Sequence, residues 1–222
     1  MALSERSNDT PRADSAPSPH PLAVELAEAI RGASDARLFL LGIGNGRNVP
    51  PLLEAGVAVD AIERDAERAR SAASRFAGVR VVRGEYAGPY PFTGAFAGAL
   101  STSALLHGTA GEVASAVAAV RACLRPGARF FATFGSTRDP RFGRGLRIDD
   151  ATFAPAVGSE EEGVPHAYFD EARLRALFDG FAEIDARELD ASETVGRWAH
   201  SADAAAGIVH WFVRARRDAA VR

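Results

Sequence analysis

Apolar residues recur along this chain in two rhythms. Leu22, Leu26 and Ile30 are spaced as on one face of a helix that Gly32 ends. Arg37 to Leu41 is an apolar run of strand length, and three alternating glycines follow it, Gly42, Gly44 and Gly46. Asn48 is placed to cap a short helix, in which Pro50 and Pro51 are tolerated because first-turn N–H groups have no intrahelical acceptor. Gly56 ends that helix, Val57 to Ile62 reads as a second strand, and Asp65 as the cap of a helix reaching Phe76. Val79 to Val82 reads as a third strand, and Phe96 to Ser101 is small and apolar enough for a buried fourth. Thr109 stands three residues before Glu112, the spacing of a capping box, ahead of Val113, Val117, Val120 and Leu124 on one helix face. Arg129 to Phe134 reads as a fifth strand. A further helix carries Leu174, Leu177, Phe178 and Phe181, capped by Asp170 and stopped near Gly180. Phe181 to Leu189 and Gly207 to Arg214 read as two last strands with no periodic helix between them, hence a hairpin. Strands alternating with helices predict an α/β fold, a doubly wound, mostly parallel sheet of seven strands with a C-terminal antiparallel hairpin.

The 222 residues are 47% apolar, enough for one domain with an ample core. Residues 1–21 are rich in Ser, Pro, Ala, Asp and Arg without periodicity and read as a disordered tail, leaving 22–222 as a single domain. A net charge of −3 gives no electrostatic case for nucleic acid. No apolar run approaches the roughly 18 residues of a membrane span, and no secretory signal is visible at the N-terminus. A single cysteine, Cys123, excludes an internal disulfide and suits a reducing cytoplasm. The chain has no lysine, so all 26 basic residues are arginine, and the presence of an arginine carries little functional information by itself.

The stretch Leu38 to Asp65 carries the main chemical signal. Its glycines let the backbone turn sharply and approach a ligand, and Glu63 ends the second strand where an acid can accept hydrogen bonds from ribose hydroxyls. A dinucleotide fingerprint would need glycine at position 47, which is Arg47. The G-x-G-x-G that stands here resembles motif I of the class I S-adenosylmethionine (SAM)-dependent methyltransferases. The likeness continues in VVRGEYAGPYPF (81–92), STSALLHG (101–108), LRPG (124–127) and GVPHAYFDEARLRAL (163–177), and so spans roughly residues 22–214. It implies a Rossmann-like fold and SAM as cofactor, with S-adenosylhomocysteine (SAH) as product. By that resemblance the cofactor contacts are Gly42, Gly44, Gly46, Arg47, Asn48, Glu63, Arg64, Glu85, Tyr86 and Ser101. The compact bacterial type that includes tellurite-resistance and thiol methyltransferases is the most similar flavour.

Methyl transfer needs alignment and exclusion of water rather than a nucleophilic side chain. His107 lies just past strand four, where methyltransferases meet their acceptor, and an imidazole can take a proton near neutral pH. His166 and Tyr168 end a long stretch, 135–166, expected to be irregular and to cover the substrate. These three are the candidate catalytic residues; a turn histidine, a surface histidine and a packed aromatic are their ordinary alternatives. Arg138, Arg141, Arg144 and Arg147 recur in the same stretch and read as a solvated loop, while His200, His210 and Trp211 read as structural. The chain departs from the family pattern at Leu40 and Ala97, where acids are frequent. Three functions stay open: a methyltransferase acting on a small molecule, a non-catalytic SAM- or SAH-binding homologue, and, against Arg47 and the hairpin, an NAD-dependent oxidoreductase.

Overall fold

A computed structural model describes residues 18–33, 35–92, 96–159, 161–195 and 207–219. The helices are α1 (Pro21–Ile30), α2 (Val49–Glu54), α3 (Ala66–Arg75), α4 (Ala110–Cys123), α5 (Glu171–Leu177) and α6 (Ser192–Val195). The strands are β1 (Arg37–Leu41), β2 (Ala58–Glu63), β3 (Arg80–Arg83), β4 (Phe96–Ser101), β5 (Leu124–Ser136), β6 (Leu146–Arg147), β7 (Thr152–Ala154), β8 (His166–Phe169), β9 (Phe181–Asp190) and β10 (Val209–Arg217). A 3-10 turn at Ala104–Leu106 follows β4. Among the described residues no helix is long and apolar enough to cross a membrane.

The expected seven strands run in the order β3-β2-β1-β4-β5-β10-β9, the first five parallel and the last two antiparallel. Alternation within β1 shows why its apolar run is continuous. Phe39 and Leu41 face a core shared with α4 and α5, and Leu38 and Leu40 face one shared with α1 and α2. The capping box forms: Thr109 Oγ1 accepts from the Glu112 N–H at 3.2 Å, and the Thr109 N–H donates to Glu112 Oε2 at 2.7 Å.

Three expectations need correction. Residues 135–166 are not structureless. β6 and β7 form an antiparallel pair, β7 pairs with β8, and β8 runs parallel to Gly135 and Ser136 at the end of β5. Because β4 stops pairing with β5 at Ala132 and β10 holds the other edge, β8 extends the edge that β4 vacates, beyond the carboxyl ends of the parallel strands. The stretch is thus a folded meander rather than an irregular loop. Asn48 precedes α2 but makes no side-chain cap bond, since its backbone is already helical (φ −88°, ψ −8°). The folded part also begins before Leu22: Pro21 is the first residue of α1, and His20 caps it. The remainder of the expected tail, residues 1–17, lies outside the described residues, as does His200.

His20 is buried, and its Nδ1 accepts from the Leu22 N–H at 3.1 Å, so the ring is neutral with its proton on Nε2. Burial, then the charge of Arg47, lowers its pKa to about 3. An unfolded histidine titrates near 6.5. Between those values the unfolded chain binds the extra proton, so His20 contributes stability fully above pH 6.5 and progressively less as pH falls towards 3. We expect urea midpoints to fall over this window, with this one group contributing at most about 1.4 kcal/mol per pH unit. His20→Asn offers an acceptor in the same place and does not titrate. It should fold with a flatter pH profile; a profile as steep as that of the parent would assign the effect elsewhere.

Candidate functional site

The carboxyl ends of β1, β2 and β4 open onto a cavity of about 890 Å³, within the roughly 300–1,000 Å³ usual for small-molecule sites. The glycine loop forms its floor. Gly42, Gly44 and Gly46 have φ of +81°, +53° and +79°, in the left-handed region that favours glycine. A Cβ on Gly42 would stand 2.5 Å from the Cβ of Ala104, and one on Gly46 2.2 Å from the ring of Phe76, whereas nothing lies within 4 Å of one on Gly44. Gly42 and Gly46 therefore let the loop pack against its neighbours. Gly44 leaves free the space that a ligand would occupy.

Glu63, the last residue of β2, is 2% exposed yet borders the cavity. Its Oε2 accepts from the Gly44 N–H at 2.9 Å, and its Oε1 accepts from the Asp65 N–H at 3.0 Å and the Tyr86 hydroxyl at 3.2 Å. Burial, then the Glu63 charge, raises the pKa of that hydroxyl. The glycine loop is thus held by an acid on the second strand, while Leu40 is buried in the apolar core. A carboxylate oxygen has two lone pairs, so Oε2, with one bond among the described residues, keeps one acceptor position. Arg64 covers the Tyr86 ring at 5.5 Å.

Of the sequence candidates, Gly42, Gly44, Glu63, Arg64, Tyr86, His107 and His166 line the cavity. The others do not. Gly46 is backed by Phe76. The Arg47 side chain runs away from the cavity and donates to the Thr194 carbonyl at 3.0 Å; burial lowers its pKa to about 10. Asn48 is occupied in a buried tie, accepting from the His20 N–H at 2.9 Å and donating to Thr102 Oγ1 at 2.8 Å. Glu85 is exposed, and Ser101 is fully buried inside β4. Tyr168 packs against Phe142 and Phe153, with ring centroids 5.7 and 6.3 Å away, and burial raises its pKa to about 12.

The structure adds residues that the sequence reading passed over. Ser103 lines the cavity with φ +69°, a conformation costing a non-glycine residue about 1–3 kcal/mol, held by its N–H donating to Thr133 Oγ1 at 2.8 Å. The meander supplies Arg141 and Glu161, and β10 supplies His210, which had been read as structural. Arg141 is fixed by two bonds to Asp139 and lies 3.4 Å from His210 Nε2. Burial, then Arg141, lowers the His210 pKa to about 3, so it accepts from the guanidinium as a neutral ring. Of the four spaced arginines, Arg138 and Arg147 instead pair with Glu188 and Asp150. Glu161 meets both candidate histidines: Oε1 is 3.1 Å from His107 Nε2 and Oε2 is 2.9 Å from His166 Nε2. Burial opposes its ionisation, but the bonds from His107 and His166 outweigh it and hold the carboxyl far below the usual range. Burial lowers the pKa of His107.

No family model and no curated protein matches the chain by sequence. Solved structures do match it by fold. A SAM-dependent methyltransferase from Methanosarcina mazei superposes with a TM-score of 0.65 at 16% identity, covering 91% of this chain and 99% of that one. One from Mesorhizobium loti gives 0.62 at 20% identity, covering 87% and 96%. The 1,6-didemethyltoxoflavin-N1-methyltransferase of Burkholderia thailandensis, with 1,6-didemethyltoxoflavin and SAH bound, gives 0.58 at 24% identity, covering 88% and 78%. The chain has the Rossmann-like fold of these structures, and its own last two strands form an antiparallel hairpin.

Gly42, Gly44 and Glu63 predict different costs. Gly42→Ala combines a left-handed backbone with a clash and should lower stability by at least about 2 kcal/mol. Gly44→Ala meets open space and should cost only the left-handed penalty, about 1–2 kcal/mol. Glu63→Gln must face one of its amide-type donors with an NH₂ group and should cost about 1–3 kcal/mol. Urea unfolding of the three variants checks the order; equal loss for Gly42→Ala and Gly44→Ala would show that Ala104 yields.

Proposed function

We propose that this protein transfers a methyl group from SAM to a small-molecule acceptor by direct in-line displacement. The observation that carries the reading is the pairing of Gly44 with Glu63 across the floor of the cavity. An unobstructed loop glycine and a strand-end carboxylate with a spare acceptor position lie side by side, as a bound nucleoside with ribose hydroxyls requires. The fold supports it, because structural neighbours of this chain carry SAM or SAH. When bound, SAM supplies an activated methyl group on a sulfonium, and the protein's work is to align the acceptor and exclude water.

Here the glycine loop, Glu63 and Tyr86 would hold the nucleoside. The far wall, from the end of β4 to the meander, would hold the acceptor. That wall includes His107, Glu161, His166 and Arg141. A small acceptor fits a cavity of this size within one domain and the absence of a net basic charge. The reading as a non-catalytic homologue rested on the missing acids at Leu40 and Ala97, the first of which would order the glycine loop. Glu63 now performs the loop-ordering task expected of that acid, which favours the active enzyme. The single cysteine, Cys123, agrees with a cytoplasmic setting.

Thermal or chemical unfolding with SAH and with NAD⁺ tests the reading. A ligand at 100 times its Kd adds about 2.7 kcal/mol of stability, and SAH should do so while NAD⁺ at the same concentration does not. Glu63→Gln, compared at its own baseline stability, should reduce the SAH-dependent increment. Stabilisation by NAD⁺ alone would overturn the assignment.

A further inference from the structure

We propose that His107, Glu161 and His166 bind one divalent transition-metal ion of the zinc class at the acceptor end of the cavity. Among the described residues, these three form the group of histidine, cysteine and acidic side chains able to converge on one ion. Their ligand atoms all lie within 4.8 Å of one another. The two nearer separations, 3.1 and 2.9 Å, fit such an ion. Ligands about 2.1 Å from a common ion stand about 3.0 Å apart at 90° and about 3.4 Å apart at the tetrahedral angle that zinc favours. Two imidazoles and a carboxylate are the donor set that suits zinc, iron(II) or nickel, and three protein ligands leave positions open.

The hydrogen bonding around His166 adds an independent reason. Its Nδ1 lies 2.8 Å from the carbonyl oxygen of Val164. A carbonyl only accepts, so Nδ1 carries a proton, and Nε2 is the ring atom that faces Glu161 Oε2 at 2.9 Å. A ring N–H given to a backbone carbonyl is also the usual support of a metal-ligating histidine, since it fixes the tautomer and the ring plane. The two histidines are held in place by backbone: they face each other across an isolated antiparallel bridge, and the Gly108 N–H donates to the Pro165 carbonyl at 2.8 Å. Their rings meet edge to face at 4.9 Å. Arg141 is tied by paired bonds to Asp139.

The three residues border the cavity, so an open coordination position faces the space where the acceptor would sit. A hydroxyl or thiol ligated there releases its proton to solvent more readily. Its lone pair then forms the bond to the methyl carbon while the sulfonium S–CH₃ bond breaks, the electron pair staying on sulfur to give SAH. That catalytic role rests on the methyltransferase reading, whereas binding of the ion does not.

The test is titration of the full chain, without a histidine tag and stripped with chelator, with Co²⁺ followed by visible absorbance. We expect one equivalent to give d–d bands that stoichiometric Zn²⁺ abolishes. The double variant His107→Ala/His166→Ala should lose the bands. Glu161→Gln keeps the shape and one acceptor and so guards against a folding defect; it should weaken Co²⁺ binding at least tenfold while its circular dichroism and SAH affinity stay those of the parent. Absence of a stoichiometric Co²⁺ spectrum in the parent, or one unchanged in these variants, overturns the proposal. Calorimetry with SAH on the same samples separates the two ideas. SAH binding without Co²⁺ binding sinks the metal site and spares the methyltransferase, and Co²⁺ binding without SAH binding does the reverse.

Discussion

The Glu63 carboxylate is the constraint on which the glycine-loop end of the cavity depends. A buried carboxylate is costly unless hydrogen-bonded, and this one is satisfied by three donors from three separate segments: Gly44 in the glycine loop, Asp65 at the start of α3 and Tyr86 after β3. Each bond fixes a segment that is not otherwise in the sheet. The loop is drawn towards β2, α3 begins where Asp65 can cap it through the Arg68 N–H, and Tyr86 closes over Gly42. The left-handed glycines then become necessary, because the loop drawn to Glu63 passes too close to Ala104 and Phe76 for any side chain.

This also explains how the chain does without the acid that the resembled motif I would place at Leu40, two residues before the first glycine. Leu40 sits on the face of β1 packed with α1 and α2. An acid there would need its own donors. Glu63 reaches the same loop from the neighbouring strand, so one side chain can serve both to order the loop and to meet a ligand. Coupling the two duties in one residue means that loop geometry and ligand affinity should vary together rather than separately.

The fold was largely legible because it is written in local terms. The burial alternation of β1, the Asp65, Thr109 and Asp170 caps and the glycine stops each depend on residues a few positions apart. The glycine-loop end of the cavity was legible for the same reason, since Gly42, Gly44 and Glu63 follow one βαβ unit. Arg47, Asn48 and Ser101 lie away from the cavity because neighbourhood in sequence does not fix direction: Arg47 and Asn48 bond to the chain before α1, and Ser101 is buried on β4. The opposite wall was hardly legible. Glu161 lies 54 residues from His107, and His210 arrives on the last strand. The arginine-rich composition hid Arg141 among residues that pair with surface acids. No short pattern announces the left-handed Ser103 either.

The two ends of the cavity are therefore built on different principles. One end is backbone, with N–H groups and glycine space anchored by a single carboxylate on the rigid parallel sheet. The other is made of side chains delivered by a meander that joins the main sheet through the two-residue pairing of β8 with β5 and through side-chain bonds to β10. Preorganisation demands more of the second arrangement, because each side chain must be fixed individually. The structure meets that demand locally: Arg141 is locked to Asp139, His166 to the Val164 carbonyl, and His107 to the opposite strand through the Gly108–Pro165 bond. A wall supported in this way can exchange side chains without disturbing the glycine floor. On the proposed methyltransferase reading, the choice of acceptor can thus be set in the meander while the end proposed for the nucleoside is left intact.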